Sequence, residues 1–154
     1  MSVITWDEFF MGVAMLASKR SKDPSTQVGA CIVDNENKVV SLGYNGMPRN
    51  LDESKLSWNK NEGLDSKYLY VCHAELNAIL NVKNGCNLKD CTVYVTLFPC
   101  NECAKCLIQV GIKRIVYLSD KYNGTTENLA SKKLLDLANI KYEQFNGNLD
   151  NIKL

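Results

Sequence analysis

The chain has one histidine, His73, which stands two residues before an acid, Glu75. Further along, Pro99 precedes Cys100 and Cys103, which are separated by two residues. One imidazole and two thiols are three ligands of the types that zinc binds, and a catalytic zinc site keeps its fourth position open for water. Glu75 is then an acid beside the metal that can move protons. Together, the four residue types predict hydrolytic zinc chemistry.

Taken alone, each half of this pattern is compatible with several roles. A single histidine is often a structural group, and H-x-E triplets occur by chance. A C-x-x-C pair can be half of a structural zinc knuckle, a redox pair or two buried thiols. The joint pattern H-x-E…P-C-x-x-C, with a helix predicted to begin at each half, is the signature of zinc deaminases. A fourth cysteine ligand would instead make a closed, structural site.

Helix geometry is compatible with one shared metal. Cys100 and Cys103 share a helix face because they are three residues apart. His73 and Glu75 do not face one another along a helix, but both reach a site over its end. The N–H groups of two helix N-termini would stabilise two thiolates. Cys106 lies about 4.5 Å further along the axis and is predicted to be a core or flank thiol.

The remaining cysteines are assigned to the core or its flanks rather than to the metal. These are Cys31, Cys86 and Cys91. Cys72 is expected to point away from the metal because a strand ends there. No signal peptide is recognised in the first residues. Seven cysteines in such a chain favour a reducing compartment, and we expect a cytoplasmic protein.

Length and charge bound the remaining possibilities. A chain of 154 residues predicts one domain with a core that needs no disulfide bonds. The formal net charge is +1, and no run of Lys and Arg reaches five residues. This balance argues against a protein that tracks nucleic-acid phosphates. No apolar stretch approaches a membrane span. We therefore expect neither nucleic acid nor a membrane as a partner.

Hydrophobic periodicity predicts alternating helices and strands. Thr5 and Glu8 form a capping-box pattern. The first helix then has its apolar residues at helical spacing, namely Phe9, Phe10, Val13, Leu16 and Ala17. Strands are predicted over 28–33, 39–44, 92–97, 114–118 and 140–145, and helices over 73–82, 100–110 and 127–138. The apolar members of the last helix are Leu129, Leu134, Leu135 and Leu137. This alternation predicts an α/β fold with helices on the sheet faces.

Two stretches fall outside this pattern. Residues 47–69 are polar and irregular. A connection of that length is usually functional or mobile, but a tolerated surface insertion is an equal alternative. Residues from 146 onward are expected to fray.

Five stretches carry a resemblance to a known family: residues 23–30, 43–48, 71–79, 97–105 and 119–122. The chain resembles the deoxycytidylate (dCMP) deaminases of the cytidine and deoxycytidylate deaminase superfamily from about residue 6 to residue 145. The resemblance implies a cytidine-deaminase-like three-layer α/β/α sandwich with a mixed five-stranded sheet. It places a zinc-dependent CMP/dCMP-type deaminase domain at residues 1–145 and a polar tail at 146–154.

The activity implied by the resemblance is hydrolysis of dCMP to dUMP and ammonia, which feeds thymidylate synthesis. The expected zinc ligands are His73, Cys100 and Cys103. Two thiolates weaken the ability of zinc to acidify water, so a base is useful. Glu75 is expected to take a proton from the water and to protonate the ring nitrogen and the leaving ammonia. Some family members hold a second zinc with extra histidines, which this chain lacks, so we expect one zinc per subunit.

The resemblance also suggests substrate contacts. Asn45 is expected to hold the sugar hydroxyl, with service in an Asn-Gly turn as the alternative. Lys121 and Tyr122 are expected to meet the 5′-phosphate, since a dianion needs a cation and hydroxyl donors. Further substrate-binding candidates are Ala74, Ser25 and Thr26.

Regulation and assembly follow from the resemblance alone. The family is typically a homohexamer that dCTP activates and dTTP inhibits, and Mg²⁺ could accompany the effector nucleotide. We place this control in residues 47–69 and in the Asn45-Gly46 loop. Three alternatives stay open: a deaminase acting on tRNA or single-stranded DNA, a free cytidine deaminase, and a non-enzymatic structural zinc module.

Overall fold

A computed structural model describes residues 2–153 and contains one five-stranded sheet with four α-helices. The helices are α1 (Trp6–Ser18), α2 (Ala74–Leu80), α3 (Asn101–Gln109) and α4 (Thr126–Leu137). The strands are β1 (Gly29–Val33), β2 (Val39–Tyr44), β3 (Thr92–Leu97), β4 (Arg114–Ser119) and β5 (Lys141–Gln144). Every predicted helix and strand is confirmed, with small shifts at the ends. No helix between residues 2 and 153 combines the length and apolar character needed to cross a membrane.

The sheet is mixed, with the strand order β2-β1-β3-β4-β5. Strand β1 runs antiparallel to both β2 and β3, whereas β3, β4 and β5 are parallel. The carboxyl ends of β2, β3 and β4 therefore meet at one edge of the sheet. Asn45, Pro99 and Lys121 follow these three strand ends. In α/β sheets this edge is where ligands bind.

Helices cover both faces of the sheet. Alternate residues of β1 divide between the faces, because successive side chains of a strand point to opposite sides. Cys31 and Val33 pack in the cluster that contains α1 residues, and Ala30 and Ile32 pack in the cluster that contains residues of α2, α3 and α4. The predicted three-layer α/β/α sandwich with a mixed five-stranded sheet is thus confirmed.

Helix α2 lies directly against β2 at Gly43. A Cβ atom at Gly43 would be 2.3 Å from the carbonyl oxygen of Ala74 and 2.4 Å from the backbone nitrogen of Ala78. Only glycine permits this approach, because any side chain would meet backbone atoms there. Since Ala74 is the first residue of α2, the contact fixes the end of the helix at which His73 and Glu75 lie.

The predicted capping box at the start of α1 is confirmed. The Thr5 hydroxyl accepts from the Glu8 N–H at 3.0 Å, and the Glu8 carboxylate accepts from the Thr5 N–H at 2.9 Å. The predicted apolar faces are partly wrong. Phe9 and Leu16 are exposed, while Met11 and Ala14 are fully buried with Phe10.

Two further predictions, for leucines of the last helix and for one cysteine, are corrected because these side chains are exposed. Leu129 and Leu137 lie on the open side of α4, and Leu135 is the fully buried leucine of that helix. Cys86 is exposed in the loop after α2, although Cys31 and Cys91 are buried as expected. The exposed cysteine lies where the chain turns through Asn84 and Gly85, both with positive φ, and no helix or strand of the described chain includes it.

The described part of the C-terminal tail, residues 146–153, does not fray, and Leu154 lies outside the described residues. Residues Leu149–Ile152 form a 3₁₀ turn that packs on α1, with Ile152 beside Gly12. The Glu8 carboxylate accepts from the Asn148 N–H at 2.9 Å and from the Asn151 side chain at 3.0 Å. The prediction failed because this polar tail is held by one buried carboxylate on a distant helix. The division of the chain at residue 145 stays a prediction.

Candidate active site

Two of the predicted zinc ligands are the N-cap residues of helices. His73 precedes α2 and Cys100 precedes α3, and neither side chain makes a capping hydrogen bond. N-caps are normally Ser, Thr, Asp or Asn, whose side chains bond to the free N–H groups of the first turn. Both positions give up that bond, which leaves the imidazole and the thiol free to ligate. Cys103 lies within the first turn of α3 and is buried.

The distances fit a zinc ion. His73 Nδ1 is 3.4 Å from the Sγ of Cys100 and 3.4 Å from the Sγ of Cys103. Tetrahedral zinc, with bonds of about 2.3 Å to sulfur and about 2.0 Å to nitrogen, separates such atoms by about 3.6 Å. Within residues 2–153, these three residues are the one such group of His, Cys, Asp or Glu at metal-binding distances. Cys72 and Cys106 do not join it.

The pKa values of the two thiols are shifted in opposite directions. Hydrogen bonds from Cys103 and His73 lower the pKa of Cys100 to about 4. Cys103 has a raised pKa because it donates to Cys100 and is buried. The hydrogen bond to Cys100 raises the pKa of His73. The lowered pKa of Cys100 favours its thiolate form, and a zinc ligand of this type must be deprotonated.

Glu75 lies beside the ligands without belonging to them. It is in the first turn of α2 and is only 4% exposed. Burial raises the pKa of Glu75. A buried carboxyl next to an open metal position is the placement that a proton-transferring group requires.

His73, Glu75 and Cys100 line a cavity of about 660 Å³. Its walls come from the loops after β2, β3 and β4, from the start of α4 and from the segment that precedes His73. The predicted substrate residues that line it are Thr26, Asn45, Ala74 and Tyr122. Ala74 is fully buried and contributes at the start of α2. The cavity is large enough for a nucleotide-sized ligand.

Asn45 lines this cavity and hydrogen-bonds to the backbone of the loop before β1. Its Oδ1 accepts from the Val28 N–H at 2.9 Å, and its Nδ2 donates to the Thr26 carbonyl at 2.9 Å. An amide oxygen has two lone pairs, so one stays available for a further donor. The side chain thus does more than serve a turn, because it fixes the loop before β1.

The predicted phosphate residues are only partly brought together. Lys121 Nζ donates to the Thr26 hydroxyl at 3.2 Å and lies 5.1 Å from the centroid of the Tyr122 ring. Lys121 lines a smaller neighbouring cleft that shares Thr26 with the main cavity. Ser25 is exposed and lines neither, because its backbone N–H turns inward to Asp23.

Sequence reasoning missed two charged residues of the cavity wall. Lys67 Nζ contacts both carboxylate oxygens of Asp23, at 2.9 and 2.8 Å, and the two side chains are 5% and 4% exposed. Asp23 lay in a stretch that resembles the family, but its partner is 44 residues away. Lys67 sits in a polar segment with several lysines, and no local pattern marks it as the buried one.

The fold and the ligand set define a zinc-binding deaminase class, and comparison with known proteins agrees. Residues 4–119 match the family model described as the cytidine and deoxycytidylate deaminase zinc-binding region, so the chain belongs to this family. The matched range contains His73, Glu75, Cys100 and Cys103 and ends before Lys121.

The chain is similar to curated deoxycytidylate deaminases. Those of Mus musculus and Homo sapiens are 54% and 52% identical over 144 residues, which cover 92% of this chain and 80% of each relative. Among solved structures, a dCMP deaminase from the cyanophage S-TIM5 in complex with dCMP and dUMP superposes with a TM-score of 0.74. The match has 24% identity and covers 90% of this chain and 95% of that one, which supports the fold.

Proposed function

We propose that this protein catalyses the zinc-dependent hydrolysis of dCMP to dUMP and ammonia. The observation that carries the proposal is the buried Glu75 beside His73, Cys100 and Cys103 at the end of a nucleotide-sized cavity. The deoxycytidylate deaminases at 52–54% identity support dCMP as the substrate.

The residues at the closed end of the cavity have defined roles. His73, Cys100 and Cys103 would hold zinc, which when bound supplies a Lewis acid that activates water. Glu75 would accept a proton from the water that attacks C4 of the cytosine ring. It would pass this proton to the ring nitrogen and then transfer the second proton of the same water, from the C4 hydroxyl, to the departing amino group. One water enters and one ammonia leaves, so the reaction is balanced without a further reactant.

The open side of the cavity would receive the sugar and the phosphate. Asn45 presents the second lone pair of its amide oxygen to a sugar hydroxyl. Thr26 and Tyr122 offer hydroxyl groups, and Lys121 offers an ammonium 3.2 Å from the Thr26 hydroxyl. A cation with hydroxyl donors is the set that a 5′-phosphate needs. The main chain of Ala74 would contact the base beside Glu75.

Ammonia release from a panel of substrates tests the proposal. The zinc-loaded protein is given dCMP, deoxycytidine, cytidine, dCTP, single-stranded DNA and tRNA at equal concentrations. We expect dCMP to have the highest kcat/KM, with deoxycytidine slower because it lacks the phosphate. Faster turnover of a polynucleotide or of the nucleosides would contradict the substrate assignment. A protein that binds zinc and releases no ammonia would be a structural module.

Regulation is proposed on the resemblance alone. We infer a homohexamer in the cytoplasm that dCTP activates and dTTP inhibits, with control located in residues 47–69 and at Asn45-Gly46. Any Mg²⁺ would accompany the triphosphate, since the described residues form no second metal-binding cluster. Saturation by dCMP should be sigmoidal and become hyperbolic with dCTP. A hyperbolic curve that neither nucleotide alters would remove the allosteric proposal.

A further inference from the structure

A buried ion pair joins two segments of the cavity wall. Lys67 approaches both oxygens of the Asp23 carboxylate, and each side chain is about one-twentieth exposed. Lys67 belongs to the irregular segment before His73, and Asp23 belongs to the loop between α1 and β1. Both residues line the main cavity. The mechanism proposed above assigns no role to either residue.

The Asp23 carboxylate organises the loop that faces the substrate. One oxygen accepts from the backbone N–H groups of Ser25 and Thr26, at 2.8 and 3.2 Å. The other lies 3.4 Å from Nδ2 of Asn45, which in turn holds the Thr26 carbonyl. The carboxylate therefore fixes both groups, Asn45 and Thr26, that we assign to the sugar and the phosphate.

Lys67 connects this loop to the approach of a zinc ligand. Its backbone N–H donates to the Asn59 carbonyl at 2.8 Å, and its carbonyl accepts from the Val71 N–H at 3.0 Å. Cys72 then pairs with Gly46 through two backbone hydrogen bonds, and His73 follows. A single side chain thus joins the irregular segment, the substrate-facing loop and the chain that enters the metal site.

Stability alone does not explain such a pair. Moving two charges out of water costs about as much as their attraction returns, and well-packed neutral residues often replace a buried pair without loss. The pair instead fixes the position of one loop relative to the other. Within residues 2–153, no strand pairing joins these two loops. Misplacing a binding group by about 1 Å can cost up to about 100-fold in rate.

We propose that Lys67 and Asp23 are positioning residues that set the affinity of the cavity for its nucleotide substrate. This inference rests on the proposed function. The pair holds residues 59–71 against residues 23–28, so that Asn45 and Thr26 are already oriented when the substrate enters. Its loss is felt in KM for dCMP, whereas the zinc ligands and Glu75 remain in place and kcat is largely retained.

The test compares variants of the zinc-loaded protein. Lys67→Met and Asp23→Asn each remove one charge, and the double variant D23N/K67M removes both, so that no lone charge is buried if a single variant fails to fold. Lys22→Met is the matched control. Lys22 pairs with Glu53 and joins the same two segments, but the two side chains are 67% and 40% exposed. Steady-state kinetics, zinc content and amide exchange at Ser25 and Thr26 are measured for each.

We expect KM for dCMP to rise about tenfold or more in the double variant, with kcat within about threefold and zinc content unchanged. Amide exchange at Ser25 and Thr26 should accelerate, and K22M should match the wild type in every measurement. An unchanged KM, or an equal fall of kcat and of zinc content, would overturn the inference. If the wild type releases no ammonia from dCMP, the proposed function fails instead, so the two failures are distinguishable.

Discussion

Two of the three proposed zinc ligands occupy helix N-cap positions without the hydrogen bond that an N-cap side chain normally makes. Thr5 and Thr125 cap α1 and α4 with their hydroxyls, as an N-cap normally does. His73 and Cys100 occupy the same position on α2 and α3 without making that bond. Both helices therefore begin at the cluster of His73, Cys100 and Cys103, where the positive ends of the two helix dipoles favour thiolates.

In the proposed mechanism, Glu75 is the residue that transfers the protons. In the variant Glu75→Gln, the amide keeps the volume of the carboxyl but cannot carry the proton. We expect kcat for dCMP to fall by about 10²- to 10⁴-fold while the zinc content stays the same. Metal analysis and ammonia release from one preparation provide the check. A variant within tenfold of the wild type would show that another group moves the proton.

Two cysteines of α3 separate the ligand role from the packing role. Cys103 is buried with its sulfur 3.4 Å from His73 Nδ1, whereas Cys106 is half-buried one turn further on and outside the cluster. We expect Cys103→Ser to lose more zinc affinity than the about 10- to 100-fold that outer-shell changes cost. Cys106→Ser should retain both zinc and activity. Competition with a chelator measures the two affinities, and equal losses would mean that the ligands are misassigned.

At the scale of elements, local sequence patterns predicted where the helices and strands lie. They did not predict which residues of each element pack in the core. Helix α1 was evident from its capping box and periodicity, but it is apolar on several sides. Phe10 and Met11 face the core while Phe9 and Leu16 face outward, and only contact with the sheet decides between them. The metal residues were predictable because each half of the motif is contiguous in sequence.

The pairing of Lys67 with Asp23 was not predictable for the opposite reason. The two residues are far apart in sequence, and the loops that carry them are not paired by strands. The docking of the tail on α1 was missed in the same way, because it depends on hydrogen bonds to Glu8 across the chain. Periodicity carries no information about such contacts.

The contact between α2 and β2 gives a sharp test of how the fold positions the site. In Gly43→Ala, the added methyl group would meet the backbone of α2 and push its first turn outward. We expect a loss of about 1–3 kcal/mol in the free energy of unfolding and weaker zinc binding, because the same turn carries Glu75 and follows His73. Urea denaturation and zinc titration measure these effects.

Gly46 is the matched control for Gly43. It lies three residues later, and a Cβ atom there would have no atom of the described chain within 4 Å. We expect Gly46→Ala to change the free energy of unfolding by no more than about 0.5 kcal/mol. If both variants behaved alike, close packing of α2 on β2 would not be what fixes the metal site.

The docked tail offers a second test at this scale. In Glu8→Gln, an amide replaces a carboxylate that accepts from Thr5, Asn148 and Asn151. A side-chain N–H would then face N–H donors, so we expect residues 146–153 to detach and become sensitive to proteolysis. Asp150→Asn is the control, because it disrupts an exposed pair with Lys153 within the tail. Equal protection of both variants would show that apolar contacts alone hold the tail.

At the scale of the whole molecule, the mixed sheet accounts for the location of the site. Because β2, β3 and β4 all end at one edge, Asn45, Cys100 and Lys121 reach the same region from distant parts of the sequence. At the other end of the strands, Arg114 at the start of β4 forms an ion pair with Asp7 of α1 at 2.9 Å. The ion pairs Arg114–Asp7 and Lys67–Asp23 each join residues that are far apart in sequence. The free energy of unfolding should therefore depend on the ionisation of the two carboxyl groups.

The response of the protein to acid follows from these ion pairs. Burial would raise the pKa of Asp23 and of Asp7, but hydrogen bonds from Lys67 and from Arg114 outweigh it, so the pKa of each carboxyl is lowered below 3.8. A group with a lowered folded pKa binds protons more readily when unfolded. Its contribution is complete above the unfolded pKa and is lost as the pH falls through the folded value. We expect stability to be level above about pH 5 and to fall below about pH 4.

Loss of zinc in acid contributes to the same fall, so the double variant D23N/K67M serves as the comparison. It has the same zinc ligands but no charge at residue 23 or 67, and its stability should therefore decline less steeply than that of the wild type below about pH 4. The measurement is the denaturation midpoint of both zinc-loaded proteins from about pH 7 to about pH 3. Parallel curves would mean that the Lys67–Asp23 pair contributes nothing to the acid response and that the metal site accounts for all of it.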